Sequence, residues 1–177
     1  SEYITVSEGI QRYAAGKARV LFSEGCALFE EKTEALALAG DRLQEARIVA
    51  EHSDVVILCL GLDETLEGEE GDTGNSYASG DKLDLLLPKA QRDLMEVIAE
   101  TGKPTVFCLM TGSAIDLSYP AEHFNALLQL WYPGARGGKN AAEMIFGEVS
   151  PSGKLPVTFY HNLNSLPEFT DYHMKGR

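Results

Sequence analysis

What this chain has little of narrows its function first. It carries fifteen Lys and Arg against 27 Asp and Glu, a formal net charge of −12. The basic residues are scattered, whereas a nucleic-acid binder clusters them to neutralise phosphate, so that class is rejected. No apolar run approaches the roughly eighteen residues that a membrane-spanning helix needs, so no membrane partner is expected. Cysteine is scarce: Cys26, Cys59 and Cys108 are far apart and odd in number. No CxxC or CxxH spacing marks a zinc site, and the expected state is reduced and buried, as small hydrophobes. That state suits the cytoplasm. Phosphate-binding glycine motifs are missing too. Gly134-Ala-Arg-Gly-Gly138 matches neither G-x-G-x-x-G nor Walker A, and packing of a helix onto a strand accounts for its glycines. Ser113 has no G-x-S-x-G elbow around it.

With 177 residues, 44% of them hydrophobic, the chain is long enough for one domain with a sizeable core. Its opening, SEYITVSEGI, reads as internal to a longer polypeptide. The sequence is organised around Asp54 to Asp72, DVVILCLGLDETLEGEEGD. Val55 to Leu60 is unbroken apolar sequence, the pattern of a strand buried on both faces of a parallel sheet. Gly61 follows, then six carboxylates: Asp63, Glu64, Glu67, Glu69, Glu70 and Asp72. A charge run of this kind is commonly a solvated loop. In open α/β sheets, however, ligands bind beyond the carboxyl ends of the strands. The run also continues through a long Gly/Asn/Ser/Asp stretch, Gly71 to Asp81, and such loops are functional or disordered. Burying little apolar surface, Gly68 to Ser79 is expected to be mobile in isolation.

The remaining elements follow in chain order. Ser7 to Ala15 reads as a short helix capped by Ser7 and stopped by Gly16. Ala18 to Phe22 is expected as a first strand. A helix opens at Asp41, a plausible cap, and ends near His52, which there favours the negative end of the helix dipole. Pro88 starts a helix that Gly102 stops. Thr105 to Met110 is a strand followed by a Thr-Gly-Ser turn, and Ala126 to Trp131 is another, followed by Tyr132-Pro-Gly. Trp131 at its end has two uses, core packing or a face on which a sugar ring stacks. Asn140 to Phe146 is a helix stopped by Gly147. Leu155 to Phe159 is a last strand, at an edge because Pro156 cannot donate to a ladder. Alternating strands and helices imply an α/β fold. It is expected as a three-layer αβα sandwich with a mostly parallel central sheet of about five or six strands. The acidic loop, the Thr-Gly-Ser turn and the turn after Trp131 would meet at one edge, where a single pocket draws on all three.

Carboxylates suit proton transfer, polyol binding or a cation. The loop lacks the D-x-D-x-D-G order of an EF-hand, which argues against calcium. Glycoside hydrolysis employs two carboxylates, about 5–5.5 Å apart in retaining enzymes, and this loop can supply one. GLDETLEGEEGD (Gly61 to Asp72), LLLPKAQRDLMEVI (Leu85 to Ile98), LQLWYPGARGGKNAAEMIFGEVSPSGKLPVTF (Leu128 to Phe159) and Leu166-Pro167 resemble the C-terminal α/β sandwich domain of glycoside hydrolase family 3. The resemblance covers residues 1–177 almost completely. It implies a retaining β-glycosidase, β-glucosidase-like, acting on a β-linked glucoside or oligosaccharide without metal or organic cofactor. It implies that the nucleophile is an aspartate on a barrel domain of the same polypeptide, absent here, and that this domain alone is inactive. It implies a glutamate acid/base within a pattern like E-x-E-x-x-D-R. Glu69 is the candidate, Glu70 the runner-up, and Glu67 and Asp72 are supporting carboxylates. Thr73 stands where an Arg is usual, followed by an insertion, Gly74 to Asp81. Crowding by neighbouring carboxylates would raise the pKa of the acid, as its task requires. A rival implication is a non-catalytic sugar-binding or scaffolding domain of a larger glycosidase. No substrate-binding residue is assigned.

Overall fold

A computed structural model describes residues 3–29, 36, 38–68 and 82–173. The elements are α1 (Val6–Ala14), α2 (Asp41–Glu51), β1 (Val56–Gly61), α3 (Lys89–Glu100), β2 (Thr105–Met110), α4 (Ser118–His123), β3 (Ala126–Gln129) and α5 (Gly137–Ile145). Among the described residues the sheet has three strands, all parallel, in the order β1-β2-β3. Leu58 pairs with Phe107, Cys59 with Cys108 and Leu60 with Leu109.

Side chains alternate across a strand, so this register sorts the apolar residues into two layers. Leu58, Leu60, Phe107 and Leu109 face α2 and α3, packing on Ala46, Ala50, Leu94, Met95 and Ile98. Ile57, Cys59, Val106, Cys108 and Met110 face α1 and α5, packing on Val6, Ile10, Ala141 and Ala142. Burial on both faces is why β1 and β2 are continuous apolar runs rather than alternating ones. The three-layer αβα arrangement is therefore present.

The expected five or six strands are not found among the described residues. Ala18 to Phe22 is irregular. It and β1 both line a cavity of about 1230 Å³, and without a ladder an apolar run is not a strand. Leu155 to Phe159 is also irregular. Leu155 and Val157 are about half exposed, and Pro156 removes a donor from the segment. Two caps differ as well. Thr5, not Ser7, caps α1, its Oγ1 accepting from the Glu8 N–H at 3.1 Å. At α2 the cap position is Gly40, and the Asp41 carboxylate instead accepts from the Leu38 N–H at 2.8 Å. His52 does end α2, its Nδ1 2.8 Å from the Ile48 carbonyl of the last turn.

The glycines at 137 and 138 serve close packing, but not against a strand: Gly137 packs on the Pro133 ring and Gly138 on the chain entering α1. A Cβ on Gly138 would lie 1.9 Å from the Thr5 carbonyl oxygen. One on Gly9 would lie 2.0 Å from that of Gly138. α1 and α5 thus meet backbone to backbone, and Tyr13 stacks on Phe146 beside them at 4.6 Å between ring centres.

Candidate active site

The chain leaves β1 through a tight, ordered turn. Asp63 accepts from the Thr65 N–H at 2.9 Å and from its hydroxyl at 2.6 Å. The Leu66 and Glu67 N–H groups both donate to the Asp63 carbonyl, at 3.0 and 2.9 Å. Leu66 is 1% exposed, so it nails the turn into the core and fixes where the next side chain points.

That side chain is Glu67, and the structure gathers three strand ends around it. The Gly112 N–H, beyond β2, donates to Oε2 at 2.7 Å. The Ser113 hydroxyl donates to Oε1. The Tyr132 hydroxyl, beyond β3, donates to Oε2. Lys82 Nζ lies 4.0 Å from Oε1, and the two side chains are only 16% and 11% exposed respectively. Lys82 also donates to the Ala114 carbonyl at 3.0 Å. Glu67 is therefore not part of a solvated charge run. Burial works against its charge, but hydrogen bonds from Ser113, Tyr132 and Gly112, with the Lys82 charge, hold its pKa below the usual glutamate value. Burial and the bond to Glu67 push the Tyr132 phenol up. Burial pulls Lys82 down, with Glu67 and Asp84 opposing.

Local backbone makes the cluster possible. A Cβ on Gly112 would lie 2.9 Å from the Tyr132 ring and 3.2 Å from Glu67 Oε2, so only glycine admits both. Trp131 has φ 54°, a left-handed conformation that costs a non-glycine residue about 1–2 kcal/mol. It reverses the chain at the end of β3 and presents Tyr132 to Glu67. The indole packs edge-on against Phe159, 6.2 Å away between ring centres. Beneath the cluster, Gln129 Nε2 donates to the Thr111 carbonyl at 3.0 Å and to its hydroxyl at 3.2 Å. The Thr111 hydroxyl donates to the Ser113 carbonyl at 2.9 Å.

The expected convergence of three strand ends is thus present in the structure. Of the candidate carboxylates, it places Glu67; Glu69, Glu70 and Asp72 lie outside the described residues, as do Thr73 and the insertion Gly74 to Asp81. The basic group set against the acidic turn is Lys82, beyond that stretch. Gly112, Tyr132 and Lys82 escaped the sequence reading as partners of a carboxylate. So did Gln91, which is 2% exposed. It accepts from the Gly61 N–H at 2.9 Å and donates to the Gly61 and Leu28 carbonyls, each at 2.7 Å. A signal existed for it: Gln91 shares the buried stripe of α3 with Leu94, Met95 and Ile98, at i, i+3, i+4 and i+7. A polar residue on that stripe needs a partner inside.

Among the described residues no three His, Cys, Asp or Glu side chains are grouped to hold a metal ion. No helix among them is long and apolar enough to cross a membrane.

Comparison with known proteins places this geometry. The family described as "Glycosyl hydrolase family 3 C-terminal domain" matches residues 1–177. A xylan 1,4-β-xylosidase of Xylanibacter ruminicola is 42% identical over 123 residues, 69% of this chain and 14% of that protein. A periplasmic β-glucosidase of Salmonella typhimurium is 27% identical over 190 residues, all of this chain and 24% of that protein. A solved β-glucosidase structure from Erythrobacter marinus superposes with a TM-score of 0.81 at 34% identity, covering 95% of this chain and 24% of that one. The chain therefore spans about a quarter or less of the length of these relatives.

Proposed function

Because the chain belongs to the C-terminal domain family of glycoside hydrolase family 3, we propose that it is the part of a longer retaining β-glycosidase that delivers the general acid/base to the sugar. The observation that carries this reading is the meeting of three strand ends on Glu67, two residues before Glu69. Sites in α/β folds form beyond the carboxyl ends of strands, and a proton donor must be held within hydrogen-bond reach of the atom it serves.

In this reading Glu69 protonates the glycosidic oxygen as the bond to the leaving group breaks. It then takes a proton from the water that hydrolyses the glycosyl-enzyme. Glu70 is the alternative carrier of the role. Glu67 is unsuited to it: its oxygens already accept three hydrogen bonds. The nucleophile is an aspartate on a barrel domain of the same polypeptide, so residues 1–177 alone are inactive. The substrate is a terminal β-D-glucoside or a related β-glycoside. The three free thiols, Cys26, Cys59 and Cys108, suit a reducing compartment such as the cytoplasm, and recovery of the parent from the periplasm would overturn that placement.

The test is hydrolysis of aryl β-glucoside and β-xyloside by this chain and by a longer polypeptide containing it and the barrel. Turnover only by the longer polypeptide is expected, with Glu69→Gln losing most of it on unactivated substrates. Turnover by the 177-residue chain would overturn the two-domain division. Full activity of Glu69→Gln, with Glu70→Gln inactive, would move the role to Glu70.

A further inference from the structure

We propose that Glu67 is a positioning residue, a carboxylate clamp that fixes the first foot of the acidic loop to the ends of β2 and β3 and, through Lys82, to the chain that returns from it. The proposal rests on the reading of Glu69 as acid/base. Four groups from three places in the sequence converge on one carboxylate: Gly112 and Ser113 of one turn, Tyr132 and Lys82. Oε2 accepts from a backbone N–H and a phenol; Oε1 accepts from a hydroxyl and faces an ammonium. Each oxygen has about two acceptor positions, so little capacity remains for a substrate atom. All three partners donate to it, and these bonds, with the facing ammonium, favour the carboxylate over the carboxylic acid, which would spend one acceptor position on its own proton.

The position of this clamp gives it leverage. Glu67 precedes Glu69 by two residues and Lys82 closes the far side of the stretch 68–81, so both ends of that stretch are held at one point. Displacing a catalytic group by about 1 Å can cost on the order of a hundredfold in rate. The two acidic side chains thus have opposite tasks. A general acid must carry a proton at working pH, and the clamp must not.

The experiment uses the longer polypeptide that contains this chain and the barrel, with aryl β-glucosides of good and poor leaving-group ability. Glu67→Gln is expected to lower kcat ten- to a hundredfold on poor leaving groups, which need protonation, and far less on dinitrophenyl glucoside. Added azide is expected to yield no glycosyl azide, because the Glu69 carboxylate remains. Glycosyl azide formed by Glu67→Gln would make Glu67 itself the acid/base and overturn the proposal. Unchanged kcat on poor leaving groups would overturn it as well. If Glu67→Gln fails to fold, Ser113→Ala with Tyr132→Phe removes two of the donors and is read the same way. Glu69→Gln, run in parallel, tests the underlying reading separately: full activity in that variant sinks the Glu69 assignment whatever Glu67→Gln does.

Discussion

Replacing Gln91 by Leu is expected to destabilise this domain well beyond an ordinary helix substitution. Parallel strands turn alternate N–H groups to opposite edges. The Leu62 N–H donates to the Met110 carbonyl at 2.9 Å, toward β2. The Gly61 N–H therefore faces the outer edge of β1, where no strand among the described residues pairs with it. Gln91 stands in for that strand, closing both the Gly61 N–H and its carbonyl through one amide. Leucine keeps the volume and leaves both groups unpaired. Each unpaired buried group costs about 1–3 kcal/mol, and the Leu28 carbonyl, on an exposed residue, can turn to water. Allowing for the apolar burial that leucine adds, a loss of about 2–4 kcal/mol is expected. With a urea slope of about 2 kcal/mol/M, the unfolding midpoint followed by circular dichroism should fall by about 1–2 M. Gln91→Glu should fall further, since a carboxylate cannot donate to Gly61 and is buried with its charge. A midpoint for Gln91→Leu within about 0.3 M of the parent, or Gln91→Glu more stable than Gln91→Leu, would refute the edge-closing role.

Gly138→Ala should cost about 1–3 kcal/mol by forcing α5 off the Thr5 backbone, and should strip the protection of α1 amides in hydrogen exchange while leaving β2 protected; equal loss in both would point to global unfolding instead. The contribution of Glu67 to stability depends on pH in one direction: its folded pKa is depressed, so the contribution is complete above the unfolded value of about 4.3 and is lost as pH falls through the folded value. The gap in urea midpoint between the parent chain and Glu67→Gln should therefore be flat above about pH 5 and close below it; a gap that widens with acid contradicts the assigned hydrogen bonds.

The two strands packed on both faces, β1 and β2, were the most sharply legible. Thr105 to Met110 was legible residue for residue, because a continuous apolar run bounded by Lys103-Pro104 and Thr111-Gly112 has no helical alternative of that length. Ala18 to Phe22 has similar composition and no ladder, because pairing is a property of the neighbour and not of the segment. Of the site, the sequence carried the address: three polar turns after three strands must share an edge if the strands are parallel. It did not carry the contacts. Lys82 is fifteen residues beyond Glu67 and Tyr132 is 65 beyond, and no local pattern couples such positions. Gly112 was legible only as a turn residue, although its missing side chain is what lets Tyr132 and Glu67 approach the same backbone N–H.

The backbone at Trp131 is strained, with φ 54°. A left-handed tryptophan at the end of β3 persists only where its surroundings over-determine it, and two contacts do so. Its indole meets Phe159, tying the irregular segment after α5 to the sheet. Its successor, Tyr132, is committed to Glu67. Glycine at 131 would relieve the backbone but release the indole contact, and a β-branched residue would raise the strain. The cost at Trp131 is thus coupled to the clamp: the conformation that is unfavourable for the residue itself is the one that brings the phenol onto the carboxylate. Strain at the end of β3 and absence of a side chain at the end of β2 are two ways of meeting one demand, that three strand ends share a single buried charge.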